Sequence, residues 1–276
     1  MKKFENFSTR HPVVFGFIVI VLFALLSTLV WPITQNYPFP EGHEVGTALS
    51  KLVITACFML ILWRFGWAKT AGFASPGRKQ IWLLAFVMMI YNAVFAAFAF
   101  TGSFIFILPS FDLTLAVIFF TFTTSLLEET MYRGLVLTAL VKAWGSTRRG
   151  LFVAAIVSGV FWASTHFVNL IVRPFPVVAL QVLGMAIPGF VYAAMVLSGR
   201  SIWPVIIFHW VVNLTVNLQA IQNPIFEETL PAWLIFNLFV FPMVAVGVHL
   251  LRKAPLTSTN KDEEKQHKEQ LQFVNA

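Results

Sequence analysis

Eight long apolar runs, joined by shorter polar connections, constrain this chain more than any other feature of its sequence. Each run has about the 20 residues that a helix needs to cross a bilayer, where unpaired backbone groups are costly. The runs therefore predict an all-α fold, a polytopic transmembrane helix bundle with about eight spans. They cover roughly residues 13–33, 46–63, 81–100, 113–134, 151–169, 177–197, 202–218 and 233–251.

The composition places these runs in lipid rather than in the core of a soluble domain. Hydrophobic residues make up 58% of the chain and charged residues 11%, against about 25% charged in ordinary soluble domains. The charged N-terminal stretch resembles the lead of a signal peptide, but no small-x-small cleavage site follows the first run, so we expect a retained first helix. The sequence leaves open whether Phe104–Pro109, before the fourth run, is embedded in the membrane.

Lys and Arg are concentrated on one side of the predicted bundle, and short loops rich in these residues stay in the cytoplasm. Of the 19 Lys and Arg residues, all except Lys51 and Arg173 fall in the N-terminus, in the loops on the same side or in the C-terminal tail. We therefore expect both termini to be cytoplasmic. The net charge of +7 follows from this orientation and favours anionic lipid, so it provides no evidence for binding to nucleic acid.

The polar residues divide the chain into four parts. Residues 1–112 hold the N-terminal transmembrane helices, and residues 113–218 form a helical core that carries polar clusters. Residues 219–251 hold the last transmembrane helix, and residues 252–276 form a polar cytoplasmic tail. Because the tail is mixed in charge and poor in aromatic residues, we expect it to be disordered or to form a short exposed helix.

Three clusters of polar side chains fall within the apolar runs of the core. An ionisable side chain inside a bilayer is costly, so each cluster is a candidate for function. The clusters are Glu128, Glu129 and Arg133 in the fourth run, His166 with Asn169 in the fifth, and His209 with Asn213 and Asn217 in the seventh.

The first cluster combines an ion pair with a carboxylate that has no partner of its own. Glu129 and Arg133 are four residues apart, in the favourable order for a pair on one helical face. Glu128 lies about 100° further round the helix, so its carboxylate is not part of this pair and is available for another role. The alternative interpretation is that all three residues form a solvated helix end at the membrane interface.

The other two clusters place imidazoles on faces that must turn inward. Trp162 and His166 share one face of the fifth run, and His209 and Asn213 share one face of the seventh. Taken alone, either face could instead hold ordinary core residues or hydrogen bonds between helices. Glu128 and His166 each lie 19 residues from Thr147, the centre of the turn between their helices, so an antiparallel hairpin brings them to the same height.

A carboxylate, two imidazoles and a carboxamide that converge in a partly dry cavity can perform acid/base chemistry on water. Glu128 is the candidate base, and His166 could orient the water or ligate a metal. His209 and Asn213 are donors suited to an oxyanion that develops at an attacked carbonyl. No Ser or Cys with a partnered base can be identified, which favours direct attack by water on an amide.

At these residues the chain resembles the CPBP family of intramembrane proteases, which includes the CAAX prenyl endopeptidases and the bacterial Abi proteins. The family pattern is Glu-Glu-x-x-x-Arg, then Phe-x-x-x-His, then His-x-x-x-Asn or -Asp, on successive transmembrane helices. This chain has Glu128, Glu129 and Arg133 for the first motif, Trp162 and His166 for the second, and His209 and Asn213 for the third. The departure is Trp162, where Phe is usual.

The resemblance implies a membrane-embedded endopeptidase in which Glu128 is the base for the attacking water and His166 orients that water. It places His209 and Asn213 at the oxyanion, with Trp162 in a supporting position. No cofactor is certain. Zinc stays open, with Glu128, His166 and His209 as its three ligands, although the chain has no HExxH motif.

The implied partners are the lipid bilayer and a membrane-associated protein or peptide, with prenylated CAAX proteins as one class of substrate. We expect a multi-pass protein of a bacterial cytoplasmic membrane. Two other functions stay open: a scaffold or bacteriocin-immunity protein of the same fold, and a transporter that uses Glu128 and His166 as a proton relay. The transporter is disfavoured because the sequence lacks matching halves with interrupted helices.

Overall fold

The computed structural model describes residues 2–35, 42–96, 109–222 and 230–256. Within these residues the regular elements are all helical and no strand occurs, so the predicted all-α fold is confirmed. In the same residues, six helical segments are long and apolar enough to cross a membrane, and two further apolar helices are shorter. The chain is an integral membrane protein, whereas the number of spans and the side of its termini stay predictions.

Two of the helices continue directly into a segment with a different helical winding. A π-helical segment, Thr130–Val136, joins the fifth helix to the sixth, and a 3-10 segment, Thr165–Ile171, follows the seventh. The α-helices are α1 (Lys2–Arg10), α2 (Pro12–Gln35), α3 (Gly42–Arg64), α4 (Lys79–Ala96), α5 (Phe111–Glu129), α6 (Leu137–Trp144), α7 (Arg148–Ser164), α8 (Phe175–Gly199), α9 (Trp203–Gln222), α10 (Leu230–Val240) and α11 (Met243–Lys253).

Two of the apolar runs differ from the sequence prediction. The fourth run is predicted to end at Gly134, but helical structure continues through the π-helical segment to Trp144. Arg133 is buried within this continuous stretch and does not mark a solvated helix end. The last run is divided into α10 and α11 at Pro242, whose ring removes a backbone donor. The segment 104–108 and the tail from residue 257 lie outside the described residues.

Lipid takes the place of water around much of this bundle. Large apolar side chains are exposed on the outside, among them Leu29, Val172 and Leu238 at more than 70%. Inside, α5 packs against α3 and α9, and α7 packs along α8. As a result, the helices α5, α7, α8 and α9 each turn one face toward a common interior.

The contact between α7 and α8 is close enough to exclude side chains. A methyl group at Gly159 would lie 2.6 Å from the backbone nitrogen of Phe190, and one at Gly189 would lie 2.8 Å from the Cα atom of Gly159. Small residues at such a crossing let two backbones approach, which is a common way to pack helices in membranes. The crossing fixes the carbonyl of Gly189 at the interior face of α8.

We expect Gly159→Ala to destabilise the protein by about 1–3 kcal/mol, since the added carbon meets backbone atoms that cannot rotate away. Val160→Ala is the control, because its side chain on the same helix is 53% exposed to lipid. The measurement is the thermal unfolding midpoint of both purified variants in detergent. Equal midpoints for the two variants would show that α7 and α8 can move apart to accept the added methyl group without loss of stability.

Candidate active site

A cavity of about 560 Å³ lies between α3, α4, α5, α7, α8, α9 and α10. Its walls bring together side chains that are distant in the sequence. The predicted site residues that line it are Glu128, Trp162, His166, His209 and Asn213, whereas Glu129 and Arg133 lie behind the wall.

The two adjacent glutamates have different environments. The side chain of Glu128 is 30% exposed and faces the cavity, where its Oε2 atom accepts a 2.6 Å hydrogen bond from Nε1 of Trp162. The side chain of Glu129 is fully buried. The expected difference in orientation around the helix is therefore present, and Glu128 is the carboxylate that a molecule in the cavity can reach.

Glu129 contacts two basic groups at once. Its Oε2 atom lies 3.1 Å from Nε of Arg133, and its Oε1 atom lies 2.8 Å from Nδ1 of His209. The Arg133 contact is an ion pair without a well-directed hydrogen bond, since neither atom has a hydrogen-bond partner by geometry among the described residues. The interpretation of these charges as a solvated helix end is wrong, because both Glu129 and Arg133 have 0% exposure.

Arg133 is held by aromatic faces and by one backbone carbonyl. Its guanidinium carbon lies 5.0 Å from the ring centre of Trp162 and 5.3 Å from that of Tyr192. Its Nη2 atom donates a 3.1 Å hydrogen bond to the carbonyl of Gly189. Arg133 thereby connects the π-helical segment to the crossing of α7 and α8.

The π-helical segment also has support from outside its own helix. Ser158 on α7 donates a 3.1 Å hydrogen bond to the carbonyl of Tyr132, which also accepts the backbone N–H of Leu137. A π-helical turn is rare and often occurs at functional sites. Here it begins directly after Glu128 and Glu129 and includes Arg133.

His166 lies in the 3-10 segment, with one ring nitrogen occupied and the other available. Its Nδ1 atom is 3.4 Å from the Nε2 atom of Gln181, whose Oε1 atom accepts a 2.8 Å bond from Asn169. Its Nε2 atom is buried and has no hydrogen-bond partner among the described residues. When the neutral ring carries its hydrogen on Nε2, Nδ1 can accept from the Gln181 amide and Nε2 can donate to a ligand.

His209 is 2% exposed and lies between two aromatic rings. Its ring centre is 5.2 Å from that of Trp162 and 5.4 Å from that of Tyr192. Nδ1 contacts Glu129, and Nε2 lies 3.8 Å from Oε2 of Glu128. A carboxylate accepts hydrogen bonds, so Nδ1 carries a hydrogen, and Nε2 can donate only when the ring holds both protons.

Asn213 lies one turn beyond His209 on α9 and also faces the cavity. Its Nδ2 atom donates a 3.0 Å hydrogen bond to Oγ of Ser125, which uses one of its two N–H groups. Asn217, on the same face, donates a 2.8 Å bond to the backbone carbonyl of Asn213. Asn213 thus keeps one donor for a ligand, whereas Asn217 supports the helix.

Comparison with protein families agrees with this geometry. Residues 109–215 match the family described as type II CAAX prenyl endopeptidase, Rce1-like. The matched segment is similar to a protease family, and it contains Glu128, His166, His209 and Asn213. Comparison with curated proteins and with solved structures gives no match.

The three predicted zinc ligands, Glu128, His166 and His209, do not form a metal site. In the part of the chain that the structure describes, no three His, Cys, Asp or Glu side chains are grouped closely enough to hold a metal ion. Nε2 of His209 and Oε2 of Glu128 lie 3.8 Å apart, but they form no such group with His166. The described residues as placed therefore do not fit zinc.

Sequence reasoning missed three residues that complete the walls of the candidate site. Tyr192 packs against both Arg133 and His209, Gln181 contacts His166, and Lys51 reaches the cavity from α3, outside the matched segment. The available signal was the same one that identified the clusters, namely a polar residue within an apolar run.

We expect Arg133→Met to destabilise the protein by about 3–5 kcal/mol, because it leaves Glu129 buried with one of its two basic partners removed. The matched change Glu128→Gln should alter stability by at most about 0.5 kcal/mol, since that side chain is part-exposed and its remaining oxygen can still accept from Trp162. Thermal unfolding in detergent measures both. The double variant Arg133→Met/Glu129→Gln should recover part of the loss, and no recovery would contradict the ion pair.

Proposed function

We propose that this protein is an intramembrane endopeptidase that hydrolyses a peptide bond of a membrane-associated protein with water activated by Glu128. The observation that carries the proposal is the different environment of the adjacent glutamates. Glu129 is buried between Arg133 and His209, whereas Glu128 is part-exposed in a cavity that two imidazoles and a carboxamide also line. The match to a protease family over residues 109–215 supports the same reaction class.

In the first step, a water molecule between Glu128 and His166 attacks the scissile carbonyl carbon. Glu128 takes one proton from the water, and the oxygen forms a bond to carbon. Nε2–H of His166 donates to the water oxygen and orients its lone pair. The indole N–H of Trp162 donates to Oε2 of Glu128, and this hydrogen bond limits rotation of the carboxylate.

The carbonyl oxygen becomes an oxyanion in this step and needs donors. Asn213 supplies the second N–H of its amide, and Nε2 of His209 supplies a donor when its ring is doubly protonated. Glu129 stabilises that charged ring through the 2.8 Å contact with Nδ1. Glu129 therefore acts through His209 and is a positioning residue.

In the second step, the tetrahedral intermediate collapses and the C–N bond breaks. The proton that Glu128 accepted passes to the leaving amine, so Glu128 returns to its ionised form. The products are a new carboxyl terminus and a free amine. No covalent intermediate with the protein forms, in agreement with the absence of an activated Ser or Cys in the sequence reasoning.

The proposed substrates are proteins or peptides associated with the membrane, and prenylated CAAX proteins are one class of them. The proposed location is the cytoplasmic membrane of a bacterium. A cavity within an apolar helix bundle suits such substrates, because a lipid-modified or membrane-inserted chain is already concentrated in the bilayer.

Glu128→Gln should abolish cleavage, reducing kcat by at least about 1,000-fold, since a carboxamide cannot accept the proton of water. Terminal proteomics compares membranes from cells that carry the wild type or the Glu128→Gln form. We expect protein termini that appear only with the wild type. Asp112→Asn is the matched control, as this exposed carboxylate lies at the start of the same helix.

The same comparison separates a protease from a scaffold or immunity protein. A scaffold would tolerate the near-isosteric Gln, so an unchanged cellular phenotype and an unchanged set of termini would contradict the proposed reaction. A changed cellular phenotype with an unchanged set of protein termini would also contradict the proposed hydrolysis, since Glu128 would then act in a role other than proteolysis.

Metal removal should leave the activity intact, because the three candidate ligands are not grouped closely enough to hold a metal ion among the described residues. The measurement is cleavage before and after dialysis against a chelator, together with metal analysis of the purified protein. Loss of activity on dialysis, restored by zinc at one equivalent, would overturn the metal-free reaction while retaining the peptidase.

A further inference from the structure

We propose that Asn169 and Gln181 are positioning residues that fix which nitrogen of His166 carries the hydrogen of the neutral ring. Their two carboxamides form a relay that ends at Nδ1 of His166, so that Nε2 offers a hydrogen to the cavity. This inference rests on the proposed function, since it names what holds the group that orients the attacking water.

The 3-10 winding of Thr165–Ile171 brings His166 and Asn169 to one side of the chain. A 3-10 helix has three residues per turn, so side chains three residues apart eclipse each other, whereas in an α-helix they are about 60° apart round the axis. Both side chains line the cavity, while Val168 and Ile171 are 64% and 81% exposed. The change of winding after α7 therefore directs both polar side chains towards the interior.

Gln181 receives these two side chains on α8, where it is 5% exposed. Its Oε1 atom accepts a 2.8 Å hydrogen bond from Nδ2 of Asn169, and its Nε2 atom lies 3.4 Å from Nδ1 of His166. A carboxamide points its oxygen and its NH2 group in different directions, so the bond from Asn169 turns N–H groups towards His166. A ring nitrogen that accepts such a hydrogen bond carries no hydrogen, which leaves the hydrogen on Nε2.

The charge in the cavity favours this direction of the relay over the reverse one. If both amides were turned by 180°, Nδ1 would carry the hydrogen and Nε2 would present a lone pair. Nε2 is buried without a partner among the described residues, and Glu128 is the charged group that interacts most strongly with His166. A carboxylate accepts hydrogen bonds only, so a water that donates to Glu128 turns a lone pair to His166, and an N–H is the group that binds it.

His209 shows the opposite arrangement in the same cavity. Its Nδ1 atom lies 2.8 Å from the Glu129 carboxylate, so that nitrogen carries a hydrogen and Nε2 of the neutral ring has the lone pair. The hydrogen bond at one nitrogen of an imidazole sets the role of the other. A carboxamide at His166 and a carboxylate at His209 therefore give the two rings different functions, and the carboxamide does so without adding a second buried charge.

The test reverses the relay with Asn169→Asp, because the new carboxylate can only accept. The Gln181 amide should then turn its NH2 group towards position 169 and its Oε1 atom towards His166, which moves the ring hydrogen to Nδ1. Nitrogen-15 NMR of the full-length protein in detergent, with labelled histidine and at a pH where the ring is neutral, reads this directly. A ring nitrogen without a hydrogen resonates far downfield of one that carries it. The chain has six histidines, and the His166 signals are those that His166→Gln removes.

We expect the hydrogen on Nε2 in the wild type and on Nδ1 in Asn169→Asp, while Gln181→Met should show both tautomers. Asn217→Asp is the matched control, since it adds the same charge to the same cavity at a side chain that bonds to a backbone carbonyl on α9. It should keep the wild-type tautomer. A wild-type ring with its hydrogen on Nδ1 or on both nitrogens would overturn the relay, and so would an unchanged tautomer in folded Asn169→Asp and Gln181→Met.

Cleavage of an internally quenched, S-farnesylated peptide that ends in Cys-Val-Ile-Met relates the tautomer to the reaction. Asn169→Asp should lower kcat about 100-fold, as expected when a positioned proton donor is lost, with little change in KM. The kcat of Asn217→Asp gives the effect of the added charge alone, so equal losses in the two variants would overturn the role of the relay. A tautomer that reverses as expected in a wild type that cleaves nothing would instead retain the relay and contradict the endopeptidase.

Discussion

The shared contacts of Glu129 are the interaction on which the site depends. A carboxylate with 0% exposure in a membrane protein is tolerated only with basic partners, and Glu129 has two of them. Arg133 comes from the following helical turn, and His209 comes from α9, which is 80 residues further along the chain. This side chain therefore links α5 to α9, and its contact with Nδ1 leaves Nε2 of His209 on the side of Glu128.

The features that were predictable from the sequence are those set by helical spacing. Glu129 and Arg133 are four residues apart, so their pairing and the separate orientation of Glu128 follow from the geometry of one helix. Likewise, the long apolar runs predicted the all-helical bundle. These predictions hold because a polar group in the membrane interior has no water to bind and must find its partners within the protein.

The features that were not predictable depend on contacts between helices. No spacing rule relates Glu129 to His209 or Gln181 to His166, because their helices meet only through the packing of the bundle. The π-helical segment after Glu129 depends on similar contacts, as Ser158 donates to it from α7. Lys51 was visible in its apolar run, but its position beside Thr124 required the fold.

The crossing of Gly159 and Gly189 has a consequence for the energetics of charge movement. The backbones of α7 and α8 pack closely here, and the carbonyl of Gly189 is held by Arg133, which also contacts the rings of Trp162 and Tyr192. Dipoles that are already oriented need little reorganisation when an oxyanion forms. In a bilayer, where no bulk water is available to reorient around the new charge, two glycines at a helix crossing can therefore contribute to the rate without touching the substrate.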